Sequence, residues 1–372
     1  MRLTIERAAF LKALTHVQSV VERRNTIPIL SNVLLSAKGD ALRLTATDLD
    51  IEVSESVSAE IERPGSISAP AHNLYDFVRK LPEKAPVRLE LNPDDPRLFI
   101  SAARTRLHLP VLPADDFPLM PADGFETQFQ IHPTDLGRLI DKTRFAISTE
   151  ETRYYLNGIF FHTVANGDGA MLRGVATDGH RLALADAPAP DGAQKMPGVI
   201  VPRKTINELR RLLDDAADVV DISVSPQKIR FALNDAVLTS KLIDGSFPEY
   251  NRVIPKQNSK KLKIENKAFA EAVDRVATVS AERSRSVRLA IEGDKVTLTV
   301  NNPDAGLATE DLSAEYTDEP MEIGFNAKYL LDVAGQIGGE SALFELADSG
   351  SPTLVRDESD DHALYVLMPL RV

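Results

Sequence analysis

The amino-acid sequence predicts an α+β protein that contains three copies of one domain. Two observations support this prediction. A short alternating segment followed by an amphipathic helical segment occurs three times, and a second pair of the same kind follows in every copy. The copies begin about 126 and 133 residues apart. This spacing is far longer than a solenoid unit, so each copy is a whole domain.

The first segment of each copy combines the end of a strand with the start of a helix that has one apolar face. The strand ends at Ile5, Ile131 or Ile264, and apolar residues then recur at helical spacing. The three segments are LTIERAAFLKAL, FQIHPTDLGRLI and LKIENKAFAEAV.

The second segment of each copy repeats this strand-to-helix change in SAPAHNLYDFVRKL, IVPRKTINELRRLL and IGFNAKYLLDVAGQI. Runs with β-type alternation separate the two helices and follow the second one, as in LRLTATDLDIEV and VRLELN. Turn-rich stretches with Phe-Pro, around Phe117 and Phe247, mark the junctions. We therefore expect domains at 1–125, 126–253 and 254–372, each with two helices packed on antiparallel sheets.

The composition excludes several classes of protein. The chain has no cysteine, so disulfides and thiolate metal sites are ruled out, and a reducing cytoplasm is the expected location. Glu6, Arg7 and Lys12 interrupt any signal-peptide core near the N-terminus. No apolar run approaches the roughly 18 residues that a membrane span needs. No cofactor or metal site is predicted.

Charge is distributed unevenly between the predicted helices and the remainder of the chain. The helical segments carry 18 Lys and Arg against 10 Asp and Glu, a net charge of +8 within a chain of net charge −12. They are 6–24, 70–81, 133–145, 202–213, 266–285 and 325–337. A basic helical lining with an acidic exterior favours a polyanion facing the helices. The alternative is that the basic residues only occupy solvated helix faces.

Helix geometry sets how many chains an enclosed duplex would need. Packed helix axes lie about 10 Å apart, so twelve helices in a ring leave a bore of about 28 Å, and six leave only about 9 Å. A duplex is wider than about 16 Å, judged from its groove depths. Two chains can therefore enclose double-stranded DNA, whereas one chain cannot.

An enzyme is the main alternative function, because Asp178 and His180 lie close together and Asp48 stands at the equivalent place in the first copy. The third copy has Asn301 and Asn302 there, so the acid is not kept. The sequence has no nucleophile elbow, zincin motif or phosphate-binding lysine loop. A turn role for the aspartates is favoured, and no catalytic residue is predicted. A scaffold of three repeated domains that does not bind DNA is the second alternative.

Seven stretches spread over the whole chain resemble the β subunits of bacterial DNA polymerase III, the sliding-clamp family. They are NTIPILSNVLL, RYYLNGIFF, VATDGHRLA, VIVPRK, TSKLIDGSFPEYNRVIP, MEIGFNAKYLLDV and YVLMPLRV. The resemblance implies three DNA-clamp domains per chain and a homodimer that forms a closed six-domain ring, with helices inside and no catalysis. It also implies a processivity factor whose partners are double-stranded DNA, the polymerase III catalytic subunit, clamp-loader subunits, and other polymerases and repair proteins that carry a short clamp-binding motif.

The resemblance further implies a cleft for partner peptides between the second and third domains. Its residues would be Leu156, Thr177, Gly179, His180, Arg181, Leu182, Pro248, Arg252, Asn326, Tyr329, Met368, Pro369, Leu370 and Arg371. The apolar members would form a floor for a motif rich in glutamine, leucine and phenylalanine. Arg181, Arg252 and Arg371 are expected to orient polar or acidic groups of the peptide.

Two other surfaces follow from the same resemblance. The DNA-binding residues would be Arg24, Tyr154, Tyr155, Arg203, Lys204, Arg210 and Arg211. Glu150, in the same loop as the tyrosines, stands where the family leads us to expect a neutral polar residue. The dimer interface would contain Arg104, Arg106, Leu107, Thr278 and Val279, with the two arginines facing Glu310 and Asp311.

Overall fold

The structure, a computed structural model, describes residues 1–92, 95–167, 169–216, 218–280 and 285–371. The chain folds into two units, each of which contains segments that are distant in sequence. The first unit comprises Met1–Thr134, Pro190–Pro197 and Lys204–Leu242. The second comprises Asp135–Ala189, Gly198–Arg203 and Ile243–Val372.

The α-helices of the described ranges follow the predicted order, two in each copy. They are α1 (Arg7–Gln18), α2 (Ala71–Arg79), α3 (Pro133–Thr143), α4 (Arg203–Leu213), α5 (Asn266–Ala277) and α6 (Ala327–Ala334). The predictions 6–24 and 266–285 were too long. The hydroxyls of Ser19 and Thr278 donate to carbonyls three residues earlier, which ends α1 and α5. Residues 281–284 of the second prediction lie outside the described residues.

The strands complete the predicted α+β plan. They are β1 (Arg2–Ile5), β2 (Asn32–Lys38), β3 (Ala41–Thr47), β4 (Ile51–Ser58), β5 (Glu60–Arg63), β6 (Gly65–Pro70), β7 (Val87–Leu91), β8 (Arg97–Ala102), β9 (Thr105–Pro110), β10 (Thr127–Ile131), β11 (Gly158–Asn166), β12 (Gly169–Thr177), β13 (Arg181–Pro188), β14 (Val199–Pro202), β15 (Val220–Val224), β16 (Lys228–Leu233), β17 (Ala236–Lys241), β18 (Lys260–Glu265), β19 (Ser286–Glu292), β20 (Lys295–Asn302), β21 (Gly306–Tyr316), β22 (Met321–Asn326), β23 (Ser341–Leu346), β24 (Thr353–Asp357) and β25 (Asp360–Leu367).

Two antiparallel sheets make up the first unit. One has the order β5-β1-β7-β8-β9, and the other has the order β10-β15-β16-β17-β4-β3-β2-β6. Alternation in β10, where Thr127, Phe129 and Ile131 are buried, is typical of a strand with one face on a core. Helices α1 and α2 pack together through fully buried side chains that include Phe10, Leu14 and Leu74.

One twelve-stranded antiparallel sheet runs through the second unit, in the order β14-β11-β12-β13-β25-β24-β23-β18-β21-β20-β19-β22. Helices α5 and α6 pack together over its third-copy part, with Phe269, Val273 and Leu330 buried. The periodicity that predicted these helices therefore corresponds to real core faces.

Equivalent strands join the copies inside both units. In the first unit β4 pairs with β17, with Val53 opposite Leu238. In the second unit β13 pairs with β25, with Ala183 opposite Tyr365. Since β4 and β13 hold the same place in their copies, as do β17 and β25, a single pairing rule connects consecutive copies.

Candidate functional site

A cavity of about 270 Å³ in the second unit is the best candidate for a functional site. Its walls come from the ends of β12 and β25, the start of β13 and two short 3-10 turns, Glu151–Leu156 and Tyr250–Arg252. The lining residues are Arg153, Tyr155, Leu156, Thr177, Gly179, Arg181, Leu182, Pro248, Glu249, Tyr250, Val253, Val366 and Met368. Most of this surface is apolar, as is usual for sites that take apolar side chains.

The tight turn between β12 and β13 forms one wall. The Asp178 Oδ1 atom accepts hydrogen bonds from the backbone N–H groups of His180 and Arg181, at 2.9 and 3.1 Å. The Thr177 hydroxyl donates to the carbonyl of Arg181, at 2.6 Å. Gly179 has a φ of +89°, a conformation that favours glycine. Asp178 therefore builds the turn, as the sequence favoured.

The floor of the cavity is continuous with the core of the unit. Leu182, Tyr250 and Val366 are buried in one apolar cluster, and Leu156 is buried beside them in the cavity wall. Met368 remains 38 % exposed at the mouth. Because methionine is flexible and polarizable, it can adapt to different apolar ligands.

A partly buried polar network holds Tyr250 in place. Its hydroxyl lies 2.9 Å from Nε2 of His162 and accepts a hydrogen bond from Arg173 at 3.3 Å. Arg173 in turn donates two bonds of 2.7 Å to Asp186. Burial, reinforced by the Arg173 charge, lowers the pKa of His162 to about 4, so this imidazole is neutral at pH 7.

Arg181 lines the cavity, but it is not available to steer a peptide as the sequence led us to expect. Its side chain is only 6 % exposed, and its three nitrogens donate to Asp178, to Asp332 and to the carbonyl of Phe145. The guanidinium also lies 4.4 Å from the ring centre of Tyr329. We assign it a structural role in holding the wall, because each of its three nitrogens already donates a hydrogen bond within the unit.

Half of the predicted cleft residues line the cavity: Leu156, Thr177, Gly179, Arg181, Leu182, Pro248 and Met368. The others are not in its lining: His180, Arg252, Asn326, Tyr329, Pro369, Leu370 and Arg371. Four of these have other contacts within the same unit. His180 stacks on Tyr329 and accepts a backbone hydrogen bond from Met368 at 2.9 Å, and Asn326 caps α6. Leu370 forms a bridge with Gly324. Val372, at the predicted tail, lies outside the described residues.

Six lining residues were not in the predicted cleft: Arg153, Tyr155, Glu249, Tyr250, Val253 and Val366. Tyr250 and Val366 have the pattern of ordinary core residues, so no sequence signal separates them from the core. Tyr155 had been predicted to contact DNA together with Tyr154. The structure places Tyr155 on the cavity wall, while Tyr154 is 53 % exposed and packs edge-on against it.

The basic residues predicted to contact DNA differ in whether acidic side chains already pair with them. Arg24 and Arg203 are exposed. Lys204 is engaged with Asp48 and, at 3.4 Å, with Glu22. Arg210 and Arg211 pair with acidic residues of the same segment, Asp214 and Glu208. The observed helices carry 12 basic and 7 acidic residues, a smaller excess than the longer predicted segments gave.

The residues predicted for the dimer lie on two surfaces. Leu107 lies on β9, an edge strand of the five-stranded sheet, and exposed Arg104 and Arg106 lie beside it. Thr278 and Val279 follow the end of α5. The predicted partners of the arginines already have contacts within the chain: Glu310 pairs with Arg275 at 2.7 Å, and Asp311 accepts from Thr297 at 2.7 Å.

Two classes of site are missing from the part of the chain that the structure describes. No cluster of three or more His, Asp or Glu side chains there could hold a metal ion. None of its helices is long and apolar enough to cross a membrane.

Comparison with known proteins defines the class. Family models of the DNA polymerase III beta subunit match the N-terminal domain at residues 1–121, the central domain at 130–249 and the C-terminal domain at 251–371. The beta sliding clamps of Caulobacter vibrioides and Escherichia coli are 63 % and 38 % identical, each matched over 100 % of both chains. A crystal structure of the Caulobacter crescentus DNA polymerase sliding clamp superposes with a TM-score of 0.96, at 63 % identity and with both chains fully covered.

Three repeated domains with these folds define a sliding clamp, which is a processivity factor of DNA replication and not an enzyme. The chain belongs to the DNA polymerase III beta subunit family.

Proposed function

We propose that two copies of this chain close head to tail into a six-domain ring around double-stranded DNA, in the cytoplasm. The ring keeps DNA polymerase III and other motif-bearing partners, including clamp-loader subunits and repair proteins, on the duplex through the cavity. We propose domain borders at 1–125, 126–253 and 254–372. The proposal rests on the pairing rule that joins consecutive copies, because this rule leaves one strand of the first copy and one strand of the third copy without a partner copy.

The strands left over are β9 and β21. Among the described residues, β9 has only β8 as a neighbour, and the first part of β21 has only β20. By position in the repeats, β9 corresponds to β17 and β25, and β21 corresponds to β4 and β13. Antiparallel pairing of β9 with β21 of a second chain therefore continues the rule, and exposed edges of this kind pair readily.

The register of the β4–β17 pairing can be applied to the proposed pairing of β9 with β21. Leu107 is the third residue of β9, as Leu238 is of β17, and Leu238 lies opposite Val53. In the third copy, Ala308 takes the place of Val53, since it pairs with Val300 as Val53 pairs with Ala46. By this analogy we infer that Leu107 lies opposite Ala308 of the partner subunit. On this register Arg104 lies opposite Asp311 of the partner subunit, and Arg106 is on the same sheet face as Arg104. Glu310 of the partner subunit lies opposite Thr105, on the other face.

Substitution of Leu107 by Asp tests the ring. An unpaired carboxylate on this strand would be desolvated in the interface, so the dimer should dissociate. Leu307, 67 % exposed on β21, should respond in the same way when it is changed to Asp. Leu119→Asp is the control, because Leu119 is similarly exposed at 60 % but lies on neither strand. Light scattering that shows the Leu107→Asp protein still dimeric would place the interface elsewhere.

The cavity is proposed to take the apolar residues of a short partner motif. Deletion of Met368–Val372 removes the residue at its mouth, together with the backbone bonds from Met368 to His180 and from Leu370 to Gly324. All of β25 is kept, so the unit should still fold. Because an interface hot spot costs about 2 kcal/mol or more, a motif peptide should bind more than about tenfold more weakly. Unchanged affinity in a fluorescence titration would mean that partners bind elsewhere.

A further inference from the structure

The strand pairs β4–β17 and β13–β25 join consecutive copies, and each join also contains an ion pair from a first helix to the next copy. On α1, Lys12 lies 3.3 Å from Asp215 of the second copy, and His16 lies 3.0 Å from the same carboxylate. On α3, Arg138 donates hydrogen bonds of 2.6 and 2.7 Å to Asp360 of the third copy. Both joins inside the chain therefore set basic residues of the first helix against an acidic residue of the following copy.

One of these helix positions has the opposite charge in the third copy. The helices α1, α3 and α5 begin at equivalent residues, so positions along them can be compared. Glu271 of α5 takes the place of Lys12, and its side chain is 54 % exposed. Arg275 takes the place of His16, and Glu310 at 2.7 Å and Glu271 at 3.6 Å hold it within the chain. The third copy thus presents an exposed carboxylate where the first two copies present a cation.

The segment that meets α5 in the proposed ring follows α2, and its charge is also reversed. Asp215 stands two residues past the buried leucine that ends α4, and Glu83 stands two residues past the buried leucine that follows α2. Lys80 and Lys84 lie on either side of Glu83 in the sequence, and all three are exposed. The residues that follow α2 thus carry a net positive charge, whereas Asp214 and Asp215 make the segment after α4 acidic.

We propose that Glu271 pairs with Lys84 of the partner subunit beside the β9–β21 contact, and that this reversed ion pair makes the join between chains selective. This inference rests on the proposed ring, because the ring brings the two segments together. The partner's Lys84 set against Lys12, or Glu271 set against Asp215, would bring like charges together. Selectivity of this kind comes from repulsion in a wrong pairing as well as from attraction in the right one.

The carboxylate next to this lysine also gains a cation at the proposed join. His16 reaches Asp215 from the helix position that Arg275 occupies in α5, so Arg275 is placed to meet Glu83 of the partner subunit. A guanidinium has five N–H donors, and the two hydrogen bonds from Arg275 to Glu310 leave others for a second carboxylate. The charges at the join then alternate in sign.

Charge reversal in two full-length variants tests the pair. Glu271→Lys and Lys84→Glu each place like charges at both joins between the chains of a ring. Each homodimer should therefore have a dissociation constant about fivefold to thirtyfold higher at low salt, and the difference should shrink at high salt. Both side chains are exposed, so circular dichroism should show an unchanged fold.

Mixing the two variants separates a contact between chains from one within a chain. In a mixed dimer each join again holds one acidic and one basic residue, because each substituted position meets the opposite charge in the other chain. After exchange to constant composition, native mass spectrometry of mass-tagged chains should show mixed dimers well above the random share of about one half. A random share would overturn the inference, and wild-type dimers in the same experiment would show that the ring itself is intact.

Glu292→Lys is the matched control, because it makes the same change at an exposed residue that ends β19, on neither α5 nor β21. It should leave the dissociation constant unchanged, and it should mix with Lys84→Glu at random. Mixed dimers of Glu292→Lys and Lys84→Glu in the same excess would also overturn the inference. A wild-type protein that stays monomeric at micromolar concentration would overturn the proposed ring, and the inference with it.

Discussion

Replacing Arg181 by Ala distinguishes a structural arginine from a ligand-binding one. The side chain is almost fully buried and donates to two carboxylates and one carbonyl. Truncation leaves Asp178 and Asp332 without this partner and removes the guanidinium that lies over the rings of Phe145 and Tyr329. The turn that forms the cavity wall then loses one of its anchors.

The size of the effect follows from burial. Breaking a buried ion pair by removing one partner costs about 3–5 kcal/mol. The two aspartates are partly exposed, at 18 % and 29 %, so water can solvate them after truncation, and we expect the lower end, about 3 kcal/mol. For a unit of this size, that corresponds to a fall of roughly 6–12 °C in Tm.

Urea and thermal unfolding of the Arg181→Ala protein measure this loss. Arg181→Lys should recover only part of the stability, because an ammonium cannot reproduce the planar fork. Arg252→Ala is the comparison, since Arg252 is exposed at the end of a 3-10 turn and should leave stability unchanged. An Arg181→Ala protein with wild-type stability and weakened peptide binding would refute the structural assignment.

Three further predictions concern titration and DNA. Burial opposes protonation of His16, but Glu55 at 2.5 Å and Asp215 at 3.0 Å together raise its pKa. The stabilisation that the charged imidazole provides is therefore complete below pH 6.5 and is lost as the pH rises through the raised pKa. The stability advantage of wild type over His16→Gln should be larger at pH 6 than at pH 9. Burial lowers the pKa of His162 to about 4. The free energy of unfolding of wild type should therefore fall by roughly 1–2 kcal/mol, after allowance for solvent screening, as the pH falls from 6.5 to 4. His162→Gln should show a flatter dependence of this free energy on pH in urea unfolding. Arg24→Ala should weaken direct DNA binding equally for unrelated duplexes in a salt-dependent titration, since phosphate contacts carry no sequence information.

The repeats and helices were predictable because their signals are local. Apolar spacing within about twelve residues defines each helix face, and the same faces are buried in the structure. The helix ends were less predictable. At Ser19 and Thr278 a hydroxyl competes for helix carbonyls, and the apolar pattern continues past both residues.

The cleft was predictable only in part, because its electrostatics depend on residues distant in sequence. The turn at Thr177–Leu182 is recognisable from its own residues. Asp332, which neutralises Arg181, lies 151 positions further along the chain. Lys204 likewise finds Asp48 at a separation of 156 positions. Charge counts from the sequence therefore overestimated how many cations are free to bind a ligand or DNA.

Retention on circular and linear DNA tests the central claim, a closed ring around the duplex, most directly. Labelled protein is loaded on nicked circular DNA, and the complex is then filtered before and after a restriction enzyme cuts the circle once. Topological binding predicts that the protein stays on the circle and is lost from the linear product, at a salt concentration where direct phosphate contacts are weak. Equal retention on both forms would contradict encirclement and indicate an ordinary surface contact.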